Sequence, residues 1–220
     1  MKRAVLLFTV FCVLAGGIAA QQIRASPFEG RWVWDGRGKG YPEFTELVFF
    51  GNVMLGMEDD YPVYEGMVFS YSNKTINFGE YHYGDYDEQW EYSLSGNTIT
   101  ITDEWTGSFT YTRSVMEKSP IEGIWKLTGG TDFDPDEDSY LLFTGNIMAF
   151  EDGDGYYEGF GIEFKGKAFH PSRILIEDDM GAEDIEKALP GMTMEYRLSG
   201  NTLTIISPAG DEELILTKFY

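Results

Sequence analysis

Six aromatic residues stand among carboxylates in stretches that read as loops. They are Tyr41, Tyr61, Tyr81, Tyr83, Tyr86 and Trp105, beside Asp59, Asp60, Asp85, Asp87 and Glu104. An aromatic face can stack on a sugar ring or hold a cationic group, and neighbouring carboxylates favour the cation. These six are the candidate ligand-binding residues. Other chemistry finds fewer parts. The chain has two histidines, His82 and His170, and one cysteine, Cys12. It shows no Gly-x-Ser-x-Gly elbow, no pair of metal-spaced histidines and no phosphate loop. No catalytic set is read, the expected function is non-enzymatic, and no cofactor is expected. Asp132, Asp134, Asp136 and Asp138 recur at every second position, as in a calcium loop. Glu137 stands where such a loop needs glycine, and Phe143 where it needs a bidentate glutamate, so an EF-hand is excluded. A solvated acidic rim is the expectation there, and no metal site is assigned.

The charge balance narrows the partners. The net charge is −21, and both halves of the chain carry the acidic excess. Such a surface repels nucleic acid and anionic headgroups. It leaves two partner classes, a small hydrophobic or amphipathic ligand and a protein. At the N-terminus Lys2 and Arg3 precede an apolar run from Val5 to Leu14, then Ala15-Gly16-Gly17-Ile18-Ala19-Ala20. That order is a secretory signal, read over residues 1–20. The protein is therefore expected to be exported, periplasmic or secreted, with no membrane insertion once the signal is cleaved. Cleavage would remove Cys12 and leave each half to fold on its core alone.

The elements that must position any site are stated twice. Ser26-Pro27-Phe28-Glu29-Gly30-Arg31-Trp32 recurs as Ser119-Pro120-Ile121-Glu122-Gly123-Ile124-Trp125. The stretch from Leu47 to Met54 recurs from Leu141 to Met148, and that from Tyr92 to Ile101 recurs from Tyr196 to Ile205. A repeat of this length is a domain, and the expected domains are residues 26–114 and 119–220. Within the first, eight apolar runs are broken by Gly, Asn, Asp and Ser: Gly30–Trp34, Phe44–Gly51, Val53–Glu58, Val63–Tyr71, Thr75–Gly79, Gln89–Leu94, Thr98–Thr102 and Ser108–Arg113. Ile99 and Ile101 alternate with threonines, the period of a strand with one wet face. In the second run Phe44, Val48 and Phe50 are expected to face away from Leu47 and Phe49. The fold class is all-β, two tandem small eight-stranded antiparallel up-and-down barrels. One short helix is expected in the second repeat at Gly181–Leu189, stopped by Pro190-Gly191. His170, before Pro171, reads as a turn residue.

Gly30-Arg31-Trp32 opens the first strand of the first repeat and Arg113 closes its last. Gly123-Ile124-Trp125 and Lys218 do the same in the second. This pattern resembles the lipocalin (calycin) signature, and more closely the short lipocalin-like domains of secreted bacterial proteins. The resemblance implies that each basic side chain packs over its Trp and seals one end of an eight-stranded barrel. It also implies a non-enzymatic exported protein that binds its ligand at the open barrel end. The alternative is an envelope or extracellular interaction module whose barrels are filled, for which Trp32, Phe49, Met67, Phe69, Trp90 and Tyr92 are inward candidates. The turns Gly51-Asn52, Gly145-Asn146, Ser95-Gly96-Asn97 and Ser199-Gly200-Asn201 match between copies and share one end. The loops of the other end differ and carry the six aromatic candidates. There the helix is expected to cap the second barrel as a lid.

Overall fold

The computed structural model describes residues 26–38, 40–58, 63–78, 89–103, 106–131, 133–134, 138–151, 155–172 and 189–220. The chain is all-β, with a closed antiparallel barrel of eight strands in its first half and further strands in its second. The barrel strands are β1 (Gly30–Gly38), β2 (Glu46–Phe50), β3 (Val53–Met57), β4 (Val63–Tyr71), β5 (Thr75–Phe78), β6 (Gln89–Ser95), β7 (Thr98–Asp103) and β8 (Gly107–Ser114). Each pairs with the next, β4 meets β5 through Phe69 and Phe78, and β8 returns to β1 with Arg113 opposite Trp32. The second half holds β9 (Gly123–Gly130), β10 (Tyr140–Thr144), β11 (Ile147–Glu151), β12 (Tyr156–Lys165), β13 (Ala168–Pro171), β14 (Met194–Ser199), β15 (Thr202–Ile206) and β16 (Glu213–Lys218). They pair in the same order, with β11 meeting β12 and β16 returning to β9.

Alternation decides which side chains go inside. Ile99 and Ile101 of β7 are buried, while Thr100 shares a hydroxyl hydrogen bond with Thr110 at 3.3 Å on the other face. The inner cluster of the first half gathers Phe28, Trp32, Phe49, Phe69, Ile76, Phe78, Trp90 and Tyr111. Its rings meet edge to face, as at Phe28 and Tyr92 (4.7 Å) and Phe49 and Phe69 (5.5 Å). Each such aromatic removes enough apolar surface from water to contribute about 4–6 kcal/mol before chain entropy is charged against it. The second half has its own cluster around Ile121, Trp125, Phe143, Phe169, Tyr196 and Leu203.

The matched Ser-Pro-x-Glu-Gly-x-Trp segments build one end of each half in the same way. Ser26 Oγ accepts from the Phe28 N–H at 3.3 Å, and Ser119 Oγ from that of Ile121 at 3.2 Å. Trp32 Nε1 donates to the Phe28 carbonyl (2.6 Å) and Trp125 Nε1 to that of Ile121 (2.9 Å). Glu29 accepts from the Gly51 N–H at 2.6 Å, and Glu122 from that of Gly145 at 3.1 Å. Those glutamates tie the strand entry to the first hairpin turn, where Gly51 and Gly145 sit at φ of 61° and 57°. Over the top, the Arg113 guanidinium lies 4.4 Å from the Trp32 ring centre and the Lys218 ammonium 5.5 Å from that of Trp125. Arg113 also donates to the carbonyls of Glu29 (2.6 Å) and Pro27 (3.4 Å), and Lys218 to that of Glu122 (3.1 Å).

Several expectations need correction. β1 does not stop at Trp34. It runs on to Gly38 through a register shift, because Gly36 and Gly38 take φ of 80° and 147° and let the bulged chain stay paired with β8. Phe44 does not share the outward face of Val48 and Phe50. It lies before β2, outside that strand's alternation, and packs on the inner cluster. His170 is not in a turn. It lies within β13, opposite Glu163, and Pro171 ends the strand. Residues 181–188 of the expected helix and lid lie outside the described residues. The one helical element described is a 3-10 turn over Leu189–Met192, running through the Pro190-Gly191 pair that was expected to halt a helix.

Candidate functional site

The end of the β1–β8 barrel opposite Trp32 is lined by side chains that alternation sends inward. On β4, Phe69 is part of the inner cluster, so Met67 and Glu65 share its face. On β3, Met54 is buried in the cluster, which puts Gly56 on the inner face, opposite Glu65. A side chain at Gly56 would collide with the Phe44 ring. The glycine is what lets Phe44 lie over β3. Residues 43–45 form a lip held from three sides. The Trp34 N–H donates to the Thr45 carbonyl (2.9 Å), the Thr45 N–H to that of Met57 (2.9 Å), and the Tyr111 hydroxyl to that of Phe44 (2.9 Å). Burial, then the Glu43 charge, push the Tyr111 hydroxyl above its ordinary value. Phe78 and Trp90 complete the wall, edge to face at 4.6 Å.

These residues border a cavity of about 270 Å³, lined by Glu43, Phe44, Met54, Glu65, Gly66, Met67, Phe78, Trp90 and Tyr156. The lining is thioether and aromatic at the floor and walls, with two exposed carboxylates at the rim. It can hold a small apolar body whose polar end reaches solvent. No nucleophile with an adjacent base stands among these residues.

Of the six candidate residues, Tyr41 is described. Its ring meets Trp34 edge to face at 4.8 Å and is 58% exposed, and it does not line the cavity. Tyr61, Tyr81, Tyr83, Tyr86 and Trp105 lie outside the described residues. The inward candidates Met67 and Trp90 do line the cavity. Glu65 was overlooked, although two signals mark it. It alternates with Met67 and Phe69, and Tyr64-Glu65-Gly66 recurs as Tyr157-Glu158-Gly159.

Two other charged groups are structural. Glu46, 3% exposed, pairs with Arg31 and accepts from the Tyr64 hydroxyl at 2.7 Å. Burial first, then the Glu46 carboxylate, hold the Tyr64 proton tightly. In the acidic stretch of the second half, Asp138 is engaged by Lys126 at 2.5 Å, whose pKa it raises, while Asp132 and Asp136 lie outside the described residues. Among the described residues no group of three or more His, Cys, Asp or Glu is placed to hold a metal, and no helix is long and apolar enough to cross a membrane.

No protein-family model matches the chain, and no curated protein is similar to it. Among solved structures it aligns with the DNA polymerase sliding clamp of Pseudomonas aeruginosa, solved with a ligand. The alignment has 10% identity and a TM-score of 0.20, over 90% of this chain and 79% of that one. A likeness that weak says nothing about fold or function.

Proposed function

We propose that this is a non-enzymatic, exported, lipocalin-like protein of two tandem barrels. The first barrel binds a small hydrophobic or amphipathic ligand at its open end. The cavity between Met54, Met67, Phe78 and Trp90 supports this reading, because it is lined by inner-cluster side chains of the first barrel and not by the Trp32–Arg113 seal. The signal-like composition of residues 1–20 supports export, and the doubled Gly-x-Trp and basic pairs support the lipocalin-like assignment. A second reading, an interaction module with filled barrels, draws on the depth of packing below the cavity, where Phe28, Trp32, Phe49 and Leu47 have no exposed surface. Calorimetric titration of the full chain with 2-phenylethanol, a neutral single-ring amphipath, separates the two. Binding that disappears in Met67→Phe, a change that fills the cavity, is the expected outcome. Absence of binding, with capture of a protein partner that Met67→Phe leaves intact, favours the interaction module.

A further inference from the structure

We infer that the cavity selects a monocation on an apolar body, with its ammonium or amidinium head at Glu65 and its apolar part against Met54, Met67, Phe78 and Trp90. This rests on the ligand-binding reading above and adds the charge of the ligand to it. Glu65 occupies an inner-face position of β4, two residues from Met67 and four from the core residue Phe69. Opposite it, Gly56 offers no side chain of its own, so the carboxylate faces a floor of sulfur and aromatic carbon. Thioether sulfur and aromatic faces are polarisable and electron-rich, and they attract a cation while repelling an anion.

The remaining charges agree. Among the described residues that line the cavity, none is basic. Of the described arginines in this half, Arg31 is committed to Glu46, Arg37 to Asp35, and Arg113 to the Trp32 ring. A second carboxylate, Glu43, sits on the lip beside Phe44, and its field already reaches into the barrel at the Tyr111 hydroxyl. The net charge of −21 further concentrates cations near the mouth. The volume, about 270 Å³, limits the apolar part to something near a single ring with a short tether.

The test is calorimetry on the full chain with three matched probes: 2-phenylethylammonium, 2-phenylethanol and phenylacetate. The ammonium is expected to bind at least about tenfold more tightly than the alcohol, and phenylacetate not at all, the difference expected for one charge-assisted contact. Glu65→Gln should bring the ammonium down to the level of the alcohol and leave the alcohol unchanged. Glu65→Asp should keep the preference. Glu195→Gln, on exposed β14, alters net charge equally and should change neither. Thermal melts establish that each variant is folded. Equal binding of ammonium and alcohol, or a preference that survives Glu65→Gln, overturns the cation inference and leaves the ligand-binding reading standing. If none of the three probes binds the wild-type chain, both fall.

Discussion

Phe44 and Gly56 in the first half correspond, by strand order, to Asp138 and Phe150 in the second. The lip of the first half supplies a ring and its strand supplies an empty position; the second half reverses the two. Asp138, freed from covering the barrel, pairs with Lys126 instead. Three more lining positions also differ. Met67 corresponds to Phe160, Phe78 to Pro171 and Trp90 to Met194. On the outer wall, Arg31 and Glu46 correspond to Ile124 and Tyr140. By contrast the Trp, its preceding Glu-Gly and the Gly-Asn turns are identical. The halves agree where the chain is sealed; at the cavity Met54, Glu65 and Gly66 keep their counterparts Met148, Glu158 and Gly159, and it is the bulky positions that differ. A seal has one geometric solution, whereas cavity bulk can be moved between neighbouring positions without loss of the fold.

The sharpest test of the shared end is Trp32→Ala. Deleting a fully buried indole should destabilise the first half by about 3–5 kcal/mol, and Trp125→Ala should do the same to the second. Denaturant melts of the full chain, followed by a probe in each half, would report it. Equal, negligible losses at both sites would break the equivalence. Next in size is Glu46→Gln. It leaves Arg31 facing a neutral amide on a largely buried wall, and about 2 kcal/mol should be lost, below the full cost of a broken buried pair because the Arg31 side chain keeps 31% exposure. Transplanting the second half's solution, Arg31→Ile with Glu46→Tyr, should recover most of that loss. A third change, of comparable size, sharpens the lining comparison. Gly56→Phe alone should cost about 1–3 kcal/mol by collision with the Phe44 ring. Adding Phe44→Asp should recover much of it while emptying the lip. Additive losses in that pair would show that the two positions do not exchange bulk.

Most of the barrel could be read from alternation and glycine. Val63–Tyr71 was expected with the bounds that β4 has, and the positive φ of Gly51, Gly96, Gly145 and Gly200 follows from the doubled Gly-Asn turns. The Trp32–Arg113 and Trp125–Lys218 pairs were expected from the resemblance of the doubled Gly-x-Trp and terminal basic residue to the lipocalin pattern, and both rings are covered by their cation. What alternation could not show was Phe44. It precedes its strand, and only tertiary packing over Gly56 turns it inward. Glu65 was legible in principle but was outweighed by the abundance of tyrosines in the loops. Tyr41 illustrates the cost of that weighting, since its ring rests on Trp34 and not on the cavity.

The Gly-Asn turns do more than reverse the chain. The Asn52 carbonyl accepts from the Phe69 N–H of β4, and the Asn97 carbonyl from the Arg113 N–H of β8, at 2.7 and 2.8 Å. Each hairpin is thereby latched to the strand that follows it, so β2–β3–β4 and β6–β7–β8 are three-stranded units made from contacts close in sequence. Such units form early, because little loop entropy is lost in closing them. The step left over is the joining of β8 to β1, where Arg113 reaches Glu29 across 84 positions of chain. This predicts that ring closure is the last event in assembly and the first to be undone. Arg113→Ala should accordingly speed unfolding in stopped-flow experiments and leave the refolding rate nearly unchanged, whereas a slower refolding limb would place the seal in the folding nucleus.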